Sequence, residues 1–170
     1  MQSLDYTFTT TTGYIISIIE DAITGTRVTA KYRGEGNISI NKVSAPGAVP
    51  SNLQHLNIFI NITAPETLEI EWAYIEIPYN ETALNGIDEA GLRIYWWTSA
   101  EWKICNNTNV DTERNIVWAN VTHLTIFAPM AEKAAEAPQA PVNWLLYIGI
   151  AAIVIILAVS LAFWKKKRKP

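Results

Sequence analysis

The chain has 170 residues, with 13 basic and 16 acidic side chains, a formal net charge of −3 and a single cysteine. Because one thiol cannot form an internal disulfide, the fold must depend on packing alone. Five of the basic residues lie in the last six positions, which leaves eight against all 16 acidic residues in the rest of the chain. This acidic body argues against a nucleic-acid partner, and its length of about 140 residues suffices for one domain with a sizeable core.

The body of the chain has the pattern of a β protein. Short runs rich in Ile, Val, Thr, Tyr and Trp recur between turn clusters, which favours many short strands. The predicted strands are Tyr14–Ile19, Arg27–Tyr32, Asn37–Asn41, Gln54–Thr63, Ile70–Ile77, Leu92–Trp97, Ile116–Ala119 and Leu124–Ala128. One helical turn is predicted around Glu81 to Leu84. We therefore predict an all-β fold, an antiparallel β-sandwich that spans residues 1–130.

The most regular alternation falls in the predicted strand Gln54–Thr63. Its apolar positions are Leu56, Ile58, Ile60 and Ile62, and the positions between them are Asn57, Phe59 and Asn61. Since successive side chains of a strand point to opposite faces, this pattern predicts one half-buried strand with its second face in water.

Aromatic residues are the first candidates for binding. The body contains many rings for a small domain: Trp72, Tyr74, Tyr95, Trp96, Trp97, Trp102 and Trp118. Rings on a sheet face can stack on sugars or anchor a partner protein, although filling the core is the more common role. Neighbours Trp96 and Trp97 must point to opposite faces, so we expect at least one to be exposed or to cover an edge. We take Trp96, Trp97 and Trp102 as possible ligand-stacking residues.

Catalytic, metal and cofactor signatures are not apparent. The sequence has no phosphate-binding Gly loop, no metal-spaced Cys/His set and no nucleophile elbow. Glu69 and Glu71 would share a strand face, where a solvated charged surface is the expected role. Cys105 is expected to be an inert thiol, and His123 a structural hydrogen-bonding residue. We therefore predict a protein without catalytic residues, metal or cofactor.

Five Asn-x-Ser/Thr sequons, acceptor motifs for N-glycosylation, occur in the body. They begin at Asn37, Asn61, Asn80, Asn106 and Asn120. Chance would give roughly two, so the excess is modest. If the domain is outside the cell, we expect at least one of these sites to carry a glycan.

The C-terminal part predicts a membrane anchor. An Ala/Pro/Glu-rich linker over residues 131–143 precedes 21 uncharged residues, 144–164, and a basic tail, 165–170. A helix of that length spans roughly 30 Å, the hydrocarbon thickness of a bilayer. The predicted interface anchors are Trp144, Tyr147, Trp164, Lys165, Lys166, Lys167, Arg168 and Lys169.

The basic tail also predicts orientation. Because short flanks rich in Lys and Arg stay in the cytoplasm, we expect the C-terminus inside and the N-terminal domain outside the cell. Residues 1–30 show no basic segment followed by an apolar core of the signal-peptide type. We therefore expect the chain to be the C-terminal part of a longer protein, or to have lost its signal. The alternative is a tail-anchored protein with a cytoplasmic domain.

The stretch 75–130 resembles a known module. Its features are an Ile-x-Ile-Pro strand ending at Pro78, Leu84-Asn85-Gly86-Ile87-Asp88, Leu92-Arg93-Ile94-Tyr95-Trp96, a strand containing Trp102, and the closing run 119–128, ANVTHLTIFA. This pattern is similar to the membrane-proximal β module of archaeal cell-surface and S-layer-associated proteins, often called the PGF-pre-PGF domain. The resemblance implies an extracellular structural or adhesive module without catalytic residues. The Pro-Gly-Phe tripeptide that often precedes the membrane segment in such proteins is not present, so we expect the span to be retained.

The predicted function is therefore a single-pass cell-surface protein that supports or anchors an S-layer or another surface assembly. Its expected partners are the lipid bilayer and surface proteins, with glycans as possible ligands. A glycan- or protein-binding module that uses exposed Trp residues is the first alternative, and a tail-anchored cytoplasmic adaptor is the second.

Overall fold

The computed structural model describes residues 13–133, which form eleven strands and two short 3-10 helices. The strands are β1 (Ile15–Glu20), β2 (Arg27–Gly34), β3 (Ser39–Lys42), β4 (Leu53–His55), β5 (Ile60–Thr63), β6 (Leu68–Pro78), β7 (Arg93–Trp97), β8 (Trp102–Ile104), β9 (Asn107–Asp111), β10 (Ile116–Val121) and β11 (Ile126–Glu132). The 3-10 helices are Glu81–Ala83 and Glu89–Gly91.

The strands form two antiparallel sheets. The first sheet has the order β1-β2-β6-β10-β9, and the second has the order β3-β5-β11-β7-β8, with β4 also paired to β11. Every strand pair is antiparallel. The prediction of an all-β, antiparallel, sandwich-like fold is confirmed.

The main core lies between the two sheets. The first sheet contributes alternate residues of three central strands: Val28, Ala30, Tyr32, Ala73, Ile75, Ile77, Val117 and Ala119. The second sheet contributes Ile60, Ile62, Ile94 and Phe127, all fully buried. This alternation follows from the two-residue side-chain period of a strand, which sends every second residue to the opposite face.

A second apolar cluster covers the outer side of the second sheet. It contains Leu53, Phe59, Tyr95, Trp102, Ala128 and Met130, with Val43, Val49, Trp97 and Ile126 packed against it. Four of these residues belong to segment 43–59, in which Gly47 lies against Trp97, Phe59 lies against Trp102, and β4 pairs with β11. On β7 and β11, neighbouring residues that belong to the two different clusters are both buried, Ile94 with Tyr95 and Phe127 with Ala128.

The prediction of one continuous strand from Gln54 to Thr63 is wrong. Asn57 has a φ of 59° and interrupts the extended backbone between β4 and β5. Asn and Asp tolerate this left-handed conformation better than other non-glycine residues. Leu56, Ile60 and Ile62 lie in the main core, and Phe59 points to the opposite face, where it is buried in the second cluster instead of facing water.

Other differences concern short or terminal elements. The two strands β8 and β9 and the 3-10 helix Glu89–Gly91 were not among the strands and turns predicted from periodicity. The helical turn predicted near Glu81 is confirmed as a 3-10 helix. Strand β11 continues through Glu132, so the first residues of the predicted linker, Ala131 and Glu132, belong to the second sheet. Ala131 is fully buried there.

Within the described residues, no helix combines the length and apolarity that crossing a bilayer requires. The predicted span 144–164, the basic tail 165–170 and the interface anchors lie outside the described residues. The same holds for residues 1–12 and for most of the predicted linker.

Candidate functional site

The outer face of the first sheet groups partly exposed aromatic rings with charged side chains. Its central rings are Trp72, Tyr74 and Trp118, all half-buried, which we call the aromatic face. They lie on the two neighbouring strands β6 and β10. Because Ala73 and Ala119 point into the core, the alternation of each strand sends the adjacent rings outward.

A β-bulge shapes one end of this face. The pairing of β2 with β6 shifts between Lys31, which pairs with Trp72, and Tyr32, which pairs with Ile70. Glu71 is the extra residue on β6. A bulge of this kind bends its strand and redirects side chains locally. Here it leaves both Trp72 and Glu71 outside the main core, next to Lys31.

The aromatic rings contact one another directly. The Tyr74 and Trp118 ring centroids are 5.6 Å apart with the planes tilted by 35°, and Asn120 lies opposite Tyr74 in the strand pairing. Partial burial, followed by the nearby Glu76 carboxylate, raises the pKa of Tyr74. The Tyr74 hydroxyl, which like other tyrosine hydroxyls is protonated at neutral pH, can donate a hydrogen bond to a ligand.

Ion pairs surround the rings. Lys31 Nζ lies 2.8 Å from Glu71 Oε2, Arg33 Nε lies 2.6 Å from Glu69 Oε2, and the Arg114 guanidinium contacts both Glu76 and Asp111. Glu69 and Glu71 are therefore each neutralised by a base on β2. Exposed pairs of this type contribute little to stability, typically about 0–1 kcal/mol each. Their main effect here is to give the rings a polar border.

Cations also approach an aromatic ring near the start of β1. Lys31 Nζ lies 4.8 Å and the Arg33 guanidinium carbon 5.5 Å from the centroid of Tyr14. Its hydrogen bond and charge interaction with Glu69 raise the pKa of Arg33. At this end of the outer face, the two bases therefore each contact both a carboxylate and the Tyr14 ring.

The three tryptophans predicted to stack on ligands contribute mainly to packing. Trp102 is 6% exposed and its ring lies 5.8 Å from Phe59 and 5.4 Å from Trp97. Trp97 packs over Gly47, and Trp96 makes an edge contact with His123 at 4.3 Å. Trp102 therefore offers no open face to a ligand, whereas Trp96 and Trp97 are partly exposed on opposite sides of β7, as expected.

The sequon asparagines lie in different environments. Asn80, Asn106 and Asn120 are exposed, and Asn37 and Asn61 are half-buried. Asn80 Oδ1 caps the first 3-10 helix by accepting hydrogen bonds from the backbone N–H and the hydroxyl of Thr82, both at 2.9 Å. Asn120 points outward beside Tyr74 on the aromatic face.

The sequon at Asn106 has a structural third residue. The Thr108 hydroxyl donates to the Trp118 carbonyl at 2.7 Å and accepts from the Ile94 backbone N–H at 2.8 Å. Since Ile94 is in the second sheet and Trp118 is in the first, this one hydroxyl links the two sheets.

The remaining titratable groups of the described residues do not converge on a cleft. Burial raises the pKa of the Cys105 thiol to about 12 and lowers the pKa of His123. Burial and a 2.8 Å hydrogen bond to Glu89 raise the pKa of Tyr79. A groove of about 310 Å³ lies between β4 and the first 3-10 helix, and His55 is its ionisable lining residue. One isolated imidazole does not make a catalytic constellation.

Within residues 13–133, no group of three or more His, Cys, Asp or Glu side chains is arranged to hold a metal ion. Comparisons with protein families, curated proteins and solved structures give no match for this chain. The sequence contains these rings but did not predict that they form one surface. Alternation could have indicated it, because Trp72, Tyr74 and Trp118 each lie one position from a small or apolar core residue.

Proposed function

We propose that the chain is a single-pass membrane protein of the cell surface, with its β-sandwich-like domain outside and its C-terminus in the cytoplasm. The observation that carries this proposal is the run of 21 uncharged residues, 144–164, followed directly by Lys165, Lys166, Lys167, Arg168 and Lys169. Length, apolarity and the one-sided basic cluster together favour a spanning helix with its basic end inside.

The proposed role of the outer domain is structural or adhesive, in support of an S-layer or another surface assembly. Between the sheets the domain is filled with packed apolar side chains, and its described ionisable groups form surface ion pairs rather than a cleft. The acidic body suits an exposed surface protein. The resemblance of residues 75–130 to a membrane-proximal module of archaeal surface proteins supports the same role.

Labelling of an introduced cysteine tests the topology. Cys105 is buried, and its raised pKa keeps it in the protonated thiol form, which does not react readily. Background labelling of Cys105 by a maleimide should therefore be low. Ile23→Cys places a thiol at a position that is 82% exposed, and Lys169→Cys places one in the basic tail. On intact cells, a membrane-impermeant maleimide should label Ile23→Cys and should reach Lys169→Cys only after lysis.

The opposite labelling pattern would reject this topology and favour the tail-anchored cytoplasmic adaptor. Release of the full chain from membranes by carbonate at high pH would reject a spanning anchor. The unmodified chain serves as the control for labelling of Cys105.

Glycosylation belongs to the same proposal. Of the five sequon residues, Asn80, Asn106 and Asn120 have exposed side chains in the folded domain. Mass spectrometry of the chain purified from its native membranes should show added hexose or hexosamine mass on at least one of them. Unmodified peptides at all five sequons would remove this part of the proposal.

Binding of a glycan or protein ligand is a second candidate function, and the aromatic face is the observation that favours it. Its rings are partly exposed, adjacent and bordered by polar groups, as in surfaces that stack on sugars. Titration with soluble hexose and N-acetylhexosamine oligosaccharides, followed by tryptophan fluorescence, tests it. Trp118→Ala should weaken the fluorescence response, and Trp97→Ala should preserve it. A chain that responds to none of these sugars, or an equal loss of response in both variants, would argue against this site.

A further inference from the structure

Strand β1 is an edge strand with an unusual surface for an edge. In residues 13–133, β1 pairs only with β2, so its other side meets no strand. Ile16 is 61% exposed and Ile18 is 65% exposed, both on the outer face. Edge strands usually carry Lys, Pro or a bulge that prevents pairing with another chain, but β1 reads IISIIE and pairs with β2 without a register shift.

The backbone of β1 is oriented for a further strand. Asp21 N–H donates to the Thr26 carbonyl at 2.9 Å, which continues the register of β1 and β2. In an antiparallel pair, hydrogen-bonded and non-hydrogen-bonded residue pairs alternate. Ile15, Ser17 and Ile19 therefore direct their backbone groups toward β2. Ile16, Ile18 and Glu20 direct theirs toward the open edge.

The sequence of β1 is symmetric about Ser17. Residues 15–19 read Ile-Ile-Ser-Ile-Ile in either direction. If two copies pair antiparallel with Ser17 opposite Ser17, each Ile16 faces Ile18 of the second copy. In this register the residues that point to the open edge hydrogen-bond to one another, and the exposed isoleucines meet on the same face. A two-fold axis through Ser17 satisfies the self-complementarity that a symmetric dimer requires.

Antiparallel self-pairing in this register would place Glu20 of one copy opposite Tyr14 of the other. The charges near these two positions are already paired within each copy, Glu20 with Arg27, Lys31 with Glu71 and Arg33 with Glu69. The register therefore places no unpaired like charges opposite each other.

We propose that β1 is a self-pairing edge, through which two copies of this chain join their first sheets into one continuous ten-stranded sheet. The occupant of the edge is β1 of a second copy, in the register centred on Ser17. A six-residue edge buries less than the roughly 1,000 Å² typical of stable interfaces, so the association is weak in free solution. The inference concerns the folded domain and does not depend on the membrane anchor.

Disulfide trapping of the full chain in mild detergent tests both the pairing and its register. Facing residues of a non-hydrogen-bonded antiparallel pair have Cα atoms about 4.5 Å apart, which permits a disulfide. Oxidised Ser17→Cys should therefore form a covalent dimer. A mixture of Ile16→Cys and Ile18→Cys should form the mixed dimer in preference to either homodimer, because those two positions face each other.

Ile23→Cys is the matched control, since its side chain is exposed but lies beyond β1. We expect Ser17→Cys to give roughly tenfold more covalent dimer than this control. Equal cross-linking in the two variants, or none in Ser17→Cys, overturns the proposal. So does a dimer that appears only after residues 1–12 are removed, because that result would assign the edge to the chain's own N-terminal segment.

Sedimentation provides a second readout that needs no disulfide. Ile18→Lys places a charge in the centre of the proposed contact and should abolish the concentration-dependent dimer. Ile23→Lys adds the same charge outside it and should leave the dimer unchanged. A wild-type chain that stays monomeric at high concentration, or a dimer that both lysine variants affect equally, overturns the proposal.

Discussion

The outer faces of the two sheets differ sharply in how they treat aromatic residues. On the second sheet, segment 43–59 contacts Trp97 through Gly47 and helps to bury Trp102 through Phe59, within a second apolar cluster. On the first sheet, Trp72, Tyr74 and Trp118 remain half-exposed among ion pairs. Similar residue types therefore stabilise the fold on one side and remain available to a ligand on the other. The comparison teaches that coverage by a loop, and not the presence of tryptophan, separates the two roles.

The largest effect is expected in the covered cluster. Phe59→Ala removes a buried ring that contacts both His55 and Trp102. Loss of a buried aromatic side chain typically costs about 3–5 kcal/mol, so the free energy of unfolding should fall by that order. Denaturant titration of the full chain in detergent, followed by tryptophan fluorescence, measures it. A change below about 1 kcal/mol would show that segment 43–59 does not seal the second sheet.

A smaller effect is expected where that segment touches Trp97. A Cβ added at Gly47 would clash with Trp97 Cη2, so Gly47→Ala must displace the ring. Overpacking of this kind typically costs about 1–3 kcal/mol. Gly13→Ala is the matched control, since its added Cβ would meet nothing within 4 Å. Equal unfolding midpoints for the two variants would contradict the described contact.

The open face should respond much less. Trp118→Ala removes a half-exposed ring that contacts Tyr74 but has no covering segment. We expect a loss of unfolding free energy below about 1.5 kcal/mol, mainly that of the aromatic pair. The same denaturant titration should therefore separate Trp118→Ala clearly from Phe59→Ala. Similar losses in both variants would mean that the two outer faces are equally important for stability.

The smallest effect concerns pH. Burial lowers the pKa of His123, which contacts Trp96 at the edge of the main core. The unfolded chain, with a His pKa near 6.5, therefore binds the proton more readily than the folded chain. Stability should rise with pH through this range and should fall as pH drops below about 6.5. His123→Gln should reduce that slope between pH 5 and 7, and an unchanged slope would assign the dependence to other groups.

Much of the fold could be predicted from the sequence because the central strands alternate clearly. β2, β6 and β10 place small and aliphatic residues on one face, and their predicted positions agree with the structure to within a few residues. Periodicity did not predict the short strands β8 and β9, and it also failed where a single backbone angle matters. Asn57 in the left-handed conformation splits one predicted strand into two, and an alternation pattern cannot reveal that change.

The candidate site was harder to predict for a different reason. Trp96, Trp97 and Trp102 are the densest group of rings in the sequence, yet packing over Gly47 and Phe59 occupies the rings of Trp97 and Trp102. Trp72, Tyr74 and Trp118 are spread over 47 positions and meet only because β6 and β10 are neighbours. Strand order is a long-range property, and local periodicity does not contain it.

The Thr108 hydroxyl has a consequence for the order of events during biosynthesis. Thr108 is the third residue of the sequon that begins at Asn106, and its hydroxyl is part of the acceptor motif. In the folded domain this hydroxyl is hydrogen-bonded to the Ile94 N–H of β7 and the Trp118 carbonyl of β10. It is therefore no longer available to a glycosylating enzyme that must bind it. A glycan must therefore be added to Asn106 before the domain folds. The fraction of chains glycosylated at Asn106 would then increase as folding of the newly made chain becomes slower.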